Sequence, residues 1–185
     1  MSESDALYSK LYAEGYPPGP TGMLWEFLYK HIPDFHGSRV LDAGCGPGVM
    51  VKRFRGVGCP VAGIDIASEA VRQWGGPEII QGSLTRLPWI DNAFDLVWCC
   101  DVLEHLEPAE VPVALSELAR VAPRLIASIC TRESGWKGLK CLHRTVESDG
   151  WWMQRICDAY PEYVDMRIEK KYWILVDANL TNANP

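Results

Sequence analysis

Three glycines at alternate positions, Gly44, Gly46 and Gly48, follow the apolar run Val40-Leu41-Asp42-Ala43. Glycine at that spacing lets backbone come close to a ligand and take conformations closed to other residues. A carboxylate, Asp65, follows a second apolar run, Val61-Ala62-Gly63-Ile64. An ionised carboxyl only accepts hydrogen bonds, which suits it to a pair of hydroxyls. Further along stand Asp101, Glu104 and His105, with His143 in a polar stretch. Histidine has an ordinary pKa suited to proton transfer near neutrality. Oxygen and nitrogen donors in this mixture are also a ligand set for Mg²⁺ or a transition metal.

Two familiar phosphate-binding patterns do not fit the glycines. A dinucleotide turn reads G-x-G-x-x-G/A, which would place Gly or Ala where this chain has Val49. A P-loop needs Gly-Lys-Ser/Thr, and no such triplet occurs.

Taken in order, four blocks resemble the class I S-adenosylmethionine-dependent methyltransferases. They are Val40 to Gly48; Gly63-Ile64-Asp65-Ile66; Gly82-Ser83-Leu84; and Phe94-Asp95-Leu96-Val97 leading to Asp101-Val102-Leu103-Glu104-His105-Leu106. The resemblance covers Ser38 to Ile129 and implies S-adenosylmethionine as cofactor. It places Gly44 and Gly46 against the methionine portion, with Cys45 also at the cofactor, Asp42 beneath the loop and Asp65 on the ribose hydroxyls. Ile66, Gly82, Ser83, Leu84 and Cys100 complete the cofactor wall. Ser83 departs from the family, which often has an acidic residue there for the adenine amino group; its hydroxyl or backbone takes that place. Plain structural roles stand beside these: a tight turn for the glycines, a cap on the helix near Ser68 for Asp65, and a turn cap for Ser83.

Transfer from a sulfonium is an in-line displacement that requires no nucleophilic side chain, so the protein mainly aligns the reactants. A hydroxyl acceptor needs a base, and His105 and His143 are the candidates. A small-molecule acceptor and an oxygen target are expected, with no metal. Three rivals use parts of the same residues. A metal-assisted RNA-end methyltransferase would need Asp101, Glu104, His105 and His143 to converge, whereas Glu104 complementing a helix dipole explains that residue without a metal. A nicotinamide oxidoreductase would bind NAD(H) instead. A cofactor-binding protein without turnover would keep the loop and lack an acceptor site. Tyr8, Tyr12 and Tyr16, together with Trp136, Trp151 and Trp152, are placed to form a lid over cofactor and acceptor; amphipathic helix packing accounts equally well for the tyrosines.

The elements that must position these groups alternate. Short apolar runs at 39–43, 61–65, 78–80, 94–99 and 124–129 read as strands buried on both faces. Helical patterns lie between them at 48–54, 68–74 and 109–121, the last behind Pro108. Two helices, 4–14 and 21–32, precede this core across the Pro-rich stretch 16–20. Ser148 is placed to cap a helix bearing Trp152, Ile156 and Ala159, and alternation from Val164 to Glu169 followed by Tyr172 to Val176 predicts a closing hairpin. The fold expected is α/β: a Rossmann-like three-layer sandwich with a mainly parallel seven-stranded sheet and a C-terminal antiparallel hairpin, the strand count coming from the resemblance. One domain is expected over 1–185, with an N-terminal helical lid (1–36), a cofactor-binding core (37–130), and an acceptor-side loop, helix and hairpin (131–185).

Composition bounds the rest. The 185 residues carry a net charge of −6, opposite to the basic stripe of a general nucleic-acid binder, so nucleic acid is not an expected partner. No stretch approaches the roughly 20 apolar residues of a membrane span, and residues 1–10 lack a secretory pattern, so a soluble cytoplasmic protein is expected. The seven cysteines include no CxxC pair and are expected as reduced, mostly core thiols, with Cys45 set apart by its glycine neighbours.

Overall fold

The computed structural model describes residues 3–17, 25–26, 28–29, 35–170 and 173–180. Seven strands form one sheet: β1 (Val40–Ala43), β2 (Val61–Asp65), β3 (Ile79–Gln81), β4 (Leu96–Cys100), β5 (Arg124–Cys130), β6 (Tyr163–Lys170) and β7 (Trp173–Asn179). Among the described residues, the helices α1 (Glu3–Ala13), α2 (Val49–Gly56), α3 (Ser68–Trp74), α4 (Val111–Val121) and α5 (Asp149–Ala159) accompany them. The strand order is β3-β2-β1-β4-β5-β7-β6. Only β7 runs against its neighbours, antiparallel to both β5 and β6. Two positions, 171 and 172, separate β6 from β7, too few for a crossover helix.

The central strands β1, β4 and β5 are mostly apolar because both of their faces are covered. Alternate residues point to opposite sides. Leu41, Val97, Cys99, Leu125 and Ala127 pack with α4 and α5 on one face. Val40, Leu96, Trp98 and Ile126 pack with Met50 and Phe54 of α2, and with Leu28 and Phe35, on the other. In α4, Val111, Ala114, Leu115, Leu118 and Val121 are all buried. Burying each of its Leu and Val side chains contributes roughly 1.5–3 kcal/mol, so a charge at Leu118 would detach the helix.

Several expectations shift in detail. Pro112, rather than Pro108, stands in the first turn of α4; its ring needs no N–H donor there. Ser148 caps α5 as expected, accepting from the Trp151 N–H. Val164 and Asp165 are both half-buried on the edge strand, so the alternation there does not separate a wet face from a dry one. The side chains of Ile168 and Glu169, together with 18–24, 27, 30–34 and 171–172, lie outside the described residues; of the helix expected at 21–32, Trp25, Glu26, Leu28 and Tyr29 are described and helical.

The order of the sheet places the site. From β1 the chain moves outward through β2 and β3, then returns to continue on the other side with β4 and β5. Where the direction reverses, the connections after β1 and β4 leave on opposite faces and a crevice opens at the carboxyl ends of the strands.

Candidate active site

A cavity of about 680 Å³ occupies that crevice, within the size range of small-molecule sites. Every residue assigned above to cofactor or acceptor lines it, namely Asp42, Gly44, Cys45, Gly46, Asp65, Ile66, Gly82, Ser83, Leu84, Cys100, His105 and His143. The two groups of residues occupy different ends.

At the first end, the backbone of the glycine loop forms the wall. Gly44 and Gly46 have φ of 74° and 50°, a region costly for other residues. A side chain at Gly44 would begin 2.3 Å from Val102 Cγ2, and one at Gly46 would begin 2.7 Å from the Tyr12 hydroxyl. Both Gly44 and Cys45 N–H groups donate to the Ile64 carbonyl (2.8 and 3.1 Å), which turns the loop across the tip of β2. Asp65, at that tip, accepts from Gly46 N–H (2.7 Å) and from Ala67 N–H (2.9 Å). It therefore braces the loop and the start of α3 together, while each oxygen keeps a second lone pair for a ligand. Beneath the loop, Asp42 is buried and its Oδ2 has no partner among the described residues. Burial, followed by the nearby Asp65 charge, pushes its carboxyl up to about 8.

Several side chains at this end also have protein neighbours of their own. Cys45 is not set apart from the core: its side chain packs with Val51 and Ile79 under the loop, and burial pushes its thiol up. Only its backbone is placed to meet a ligand. Ser83 Oγ lies 2.8 Å from Thr85 Oγ1 and accepts the Thr85 N–H, which is the turn-capping role. Leu84 turns into the main core. Cys100 is half-buried beside the Trp98 cluster. Among the other cysteines, Cys141 is exposed and Cys157 half-buried, so the core role expected of most thiols does not extend to these two.

At the second end, side chains converge. Asp101 leaves β4 with φ 56° and accepts from Ser128 Oγ at 2.8 Å. A single 3₁₀ turn, Leu103–His105, follows. The Glu104 carbonyl accepts from Arg144 N–H (2.8 Å) and Thr145 N–H (3.0 Å), which ties the 140s segment to this turn. His143 is thereby placed beside His105, ring centroids 4.8 Å apart. His105 Nδ1 lies 3.0 Å from the Leu142 carbonyl, and His143 Nδ1 lies 2.6 Å from the Arg132 carbonyl. A carbonyl only accepts, so each Nδ1 carries the proton and each Nε2 keeps a lone pair. Burial, with the neighbouring His143, lowers His105 to about 4, and burial lowers His143 as well. Both imidazoles are neutral at pH 7. Burial holds the Glu104 carboxyl well above its ordinary range and raises Asp101 to about 6.

Helix α1 lies across both ends. The Tyr8 hydroxyl is 2.8 Å from His105 Nδ1 and donates to the Leu142 carbonyl at 3.4 Å. Tyr16 meets Trp136 edge to face at 5.5 Å, and Lys137 Nζ donates to the Glu14 carbonyl. At the other end of the helix, Asp5 accepts from both the N–H and the hydroxyl of Ser68 and so caps α3, which lacks a cap of its own. Trp151 and Trp152 do not join this cover: Trp152 is wholly buried in the main core and Trp151 packs against it. Arg132 and Ser134 also line the cavity. Their only sequence signal was position, directly after the end of a central strand.

An open α/β sheet with a glycine-rich turn and an acid at the neighbouring strand tip defines a nucleoside-binding class of site. A sequence family described as "Methyltransferase domain" matches residues 41–124. A malonyl-[acyl-carrier protein] O-methyltransferase of Enterobacter lignolyticus is 36% identical over 42% of this chain and 35% of its own length. A ubiquinone biosynthesis O-methyltransferase of Burkholderia pseudomallei is 27% identical over 70% of this chain and 53% of its own length. The chain thus spans about a third to a half of these curated relatives. A magnesium protoporphyrin IX methyltransferase from Synechocystis, solved with bound SAH, is 19% identical and superposes with a TM-score of 0.70 over 96% of each chain. Over residues 41–124 the chain is thus similar to the methyltransferase domain family, and its fold is that of solved methyltransferases.

Proposed function

We propose that this protein transfers a methyl group from S-adenosylmethionine to a hydroxyl oxygen of a small acceptor. One observation carries this reading: a single cavity joins the glycine loop and Asp65 to a pair of neutral imidazoles. Oxygen as the target is further supported by the two curated relatives, both named as O-methyltransferases.

The residues present fit the nucleoside. Asp65 has spare lone pairs for the ribose hydroxyls. Asp42 Oδ2, buried without a partner, offers an acceptor beneath the methionine portion. Ile66 and the loop around Ser83 wall the space for the base. When bound, S-adenosylmethionine supplies a methyl group already activated on a sulfonium. The protein then has three tasks: aligning the acceptor oxygen behind that methyl, excluding water, and receiving a proton. Nε2 of His105 or His143 would receive the acceptor's hydroxyl proton as its oxygen takes up that methyl group. Of the segment 1–36, residues 4–17 form the lid, whereas Leu28 and Phe35 pack beneath the sheet; 37–130 holds the cofactor, and 131–185 supplies the acceptor side.

The test is a methyl-release assay against a panel of hydroxylated metabolites, with calorimetry of S-adenosylmethionine binding to the parent and to Asp65→Ala. Turnover on a hydroxyl acceptor and a loss of at least about tenfold in the variant's affinity are expected. Unchanged affinity in Asp65→Ala would remove the ribose contact. Tight binding with no S-adenosylhomocysteine released on any acceptor would leave a binding protein without turnover.

A further inference from the structure

We infer that the acceptor end of the cavity binds a first-row transition-metal dication through Glu104, His105 and His143. One donor atom from each of these residues lies within 4.8 Å of the other two. Asp101, the fourth residue of the metal-ligand arrangement considered from the sequence, is not in this group, and its Oδ1 is held by the Ser128 hydroxyl.

Three independent features make the group a ligand set. First, each imidazole has its Nδ1 engaged by a main-chain carbonyl, Leu142 for His105 and Arg132 for His143. That arrangement fixes the ring and leaves the Nε2 lone pair for a ligand, as it does in metal-binding histidines generally. Second, Glu104 is fully buried, and only one of its oxygens is satisfied. Oε1 accepts from Cys130 N–H at 2.9 Å, whereas Oε2 has no partner among the described residues, although the residue lines the cavity. A buried carboxyl oxygen left this way is costly and needs an explanation. Third, the ligands sit on two segments clamped together. Besides the two bonds to the Glu104 carbonyl, Thr145 Oγ1 donates to the Leu106 carbonyl at 2.7 Å.

The donor types select the ion. Mg²⁺ and Ca²⁺ prefer all-oxygen shells, whereas two imidazoles and one carboxylate suit Mn, Fe, Co, Ni or Zn. Metal–ligand bonds of about 2.0–2.2 Å put neighbouring donors about 3 Å apart. From a spread of up to 4.8 Å, a small shift of the donors closes the shell. Its remaining positions face the cavity, where an acceptor oxygen completes the coordination. In that state the imidazoles hold the ion instead of taking the proton themselves. The inference does not depend on methyl transfer.

The full chain, freed of metal by chelation and dialysis, is titrated with Mn²⁺ alone, followed by the electron-spin signal of the free ion. A parallel titration with Co²⁺ is followed by its visible d–d bands. One ion per chain, imidazole-type Co²⁺ bands, and binding weakened at least about tenfold in Glu104→Gln and again in His143→Asn are expected. No binding of either ion by the parent up to about 1 mM overturns the proposal, and so does undiminished binding in both variants. Circular dichroism checks that each variant folds, and His143→Asn, which replaces a ring that lines the cavity, serves where Glu104→Gln does not. S-adenosylmethionine binding is measured on the same samples, and its absence would count against the methyl-transfer reading alone.

Discussion

The two ends of the cavity are built by different means. The cofactor end is made of backbone: a turn of glycines braced by an acid nineteen positions further on, within one βαβ unit. The acceptor end is made of side chains that meet from three distant segments, with Tyr8 reaching His105 across 97 positions and the Leu142 carbonyl across 134. Backbone geometry is tolerant of side-chain identity but intolerant of added atoms. Side-chain convergence tolerates small changes of shape, but it depends on every donor and acceptor being present.

The largest expected effect tests that intolerance. Gly44→Val puts a branched side chain where the first carbon already lies 2.3 Å from Val102, at φ 74°. Loss of S-adenosylmethionine affinity by about 100-fold or more is expected from strain and displacement of the loop, measured by calorimetry. A variant that binds like the parent would mean that backbone does not build this end.

His105→Asn should do the opposite. Turnover is expected to fall about 10²–10⁴-fold, while cofactor affinity stays within about threefold. Equal losses in both readouts would show that the two ends are not separable.

Asp42 at one end and His105 at the other should answer pH in opposite senses. Asp42 is raised to about 8 in the folded chain, against roughly 3.9 unfolded. Its contribution to stability is therefore full below about 4 and lost as pH rises through about 8. His105 is lowered to about 4, against roughly 6.5 unfolded, so its contribution is lost as pH falls from about 6.5 through about 4. Asp42→Asn should gain on the parent in melting temperature between pH 5 and pH 8, and a constant difference would contradict the burial assigned to this carboxyl. In the metal-free enzyme, turnover should show no downward limb near pH 6.5.

Two smaller effects concern the lid. Tyr8→Phe removes one hydroxyl at the His105 ring and should lower kcat about two- to tenfold, the worth of one hydrogen bond, with cofactor affinity unchanged in calorimetry. Asp5→Ala removes the cap on α3, worth about 1 kcal/mol. Faster proteolysis within α1 is expected, with little change in core melting; equal protection in parent and variant would show that the cap does not hold the lid.

Legibility in the sequence follows the same division. The loop, the place of Asp65 and the alternation of strand and helix along the chain could be read because each is a local pattern with a geometric reason. Ser83 could be read only as two alternatives, and its Thr85 partner supplies the turn-capping one while the residue still lines the cavity. Cys45 was misread because its neighbours, and not the direction of its side chain, were visible. Trp151 and Trp152 lie near the acceptor segment in sequence, yet the turn of α5 carries them into the core. His105 and His143 stood out as residues, but nothing local announced that Glu104 would bind the 140s segment through its carbonyl.

The chain's own order of apolar runs and glycines determined the sheet, the crevice and the cofactor end, because period-two burial and positive φ are properties of a few adjacent residues. Only tertiary structure decided the acceptor end. There, the neutral state of two imidazoles, the isolation of a buried carboxyl oxygen and the docking of α1 arise from desolvation and contacts between segments a hundred residues apart, which no local pattern encodes.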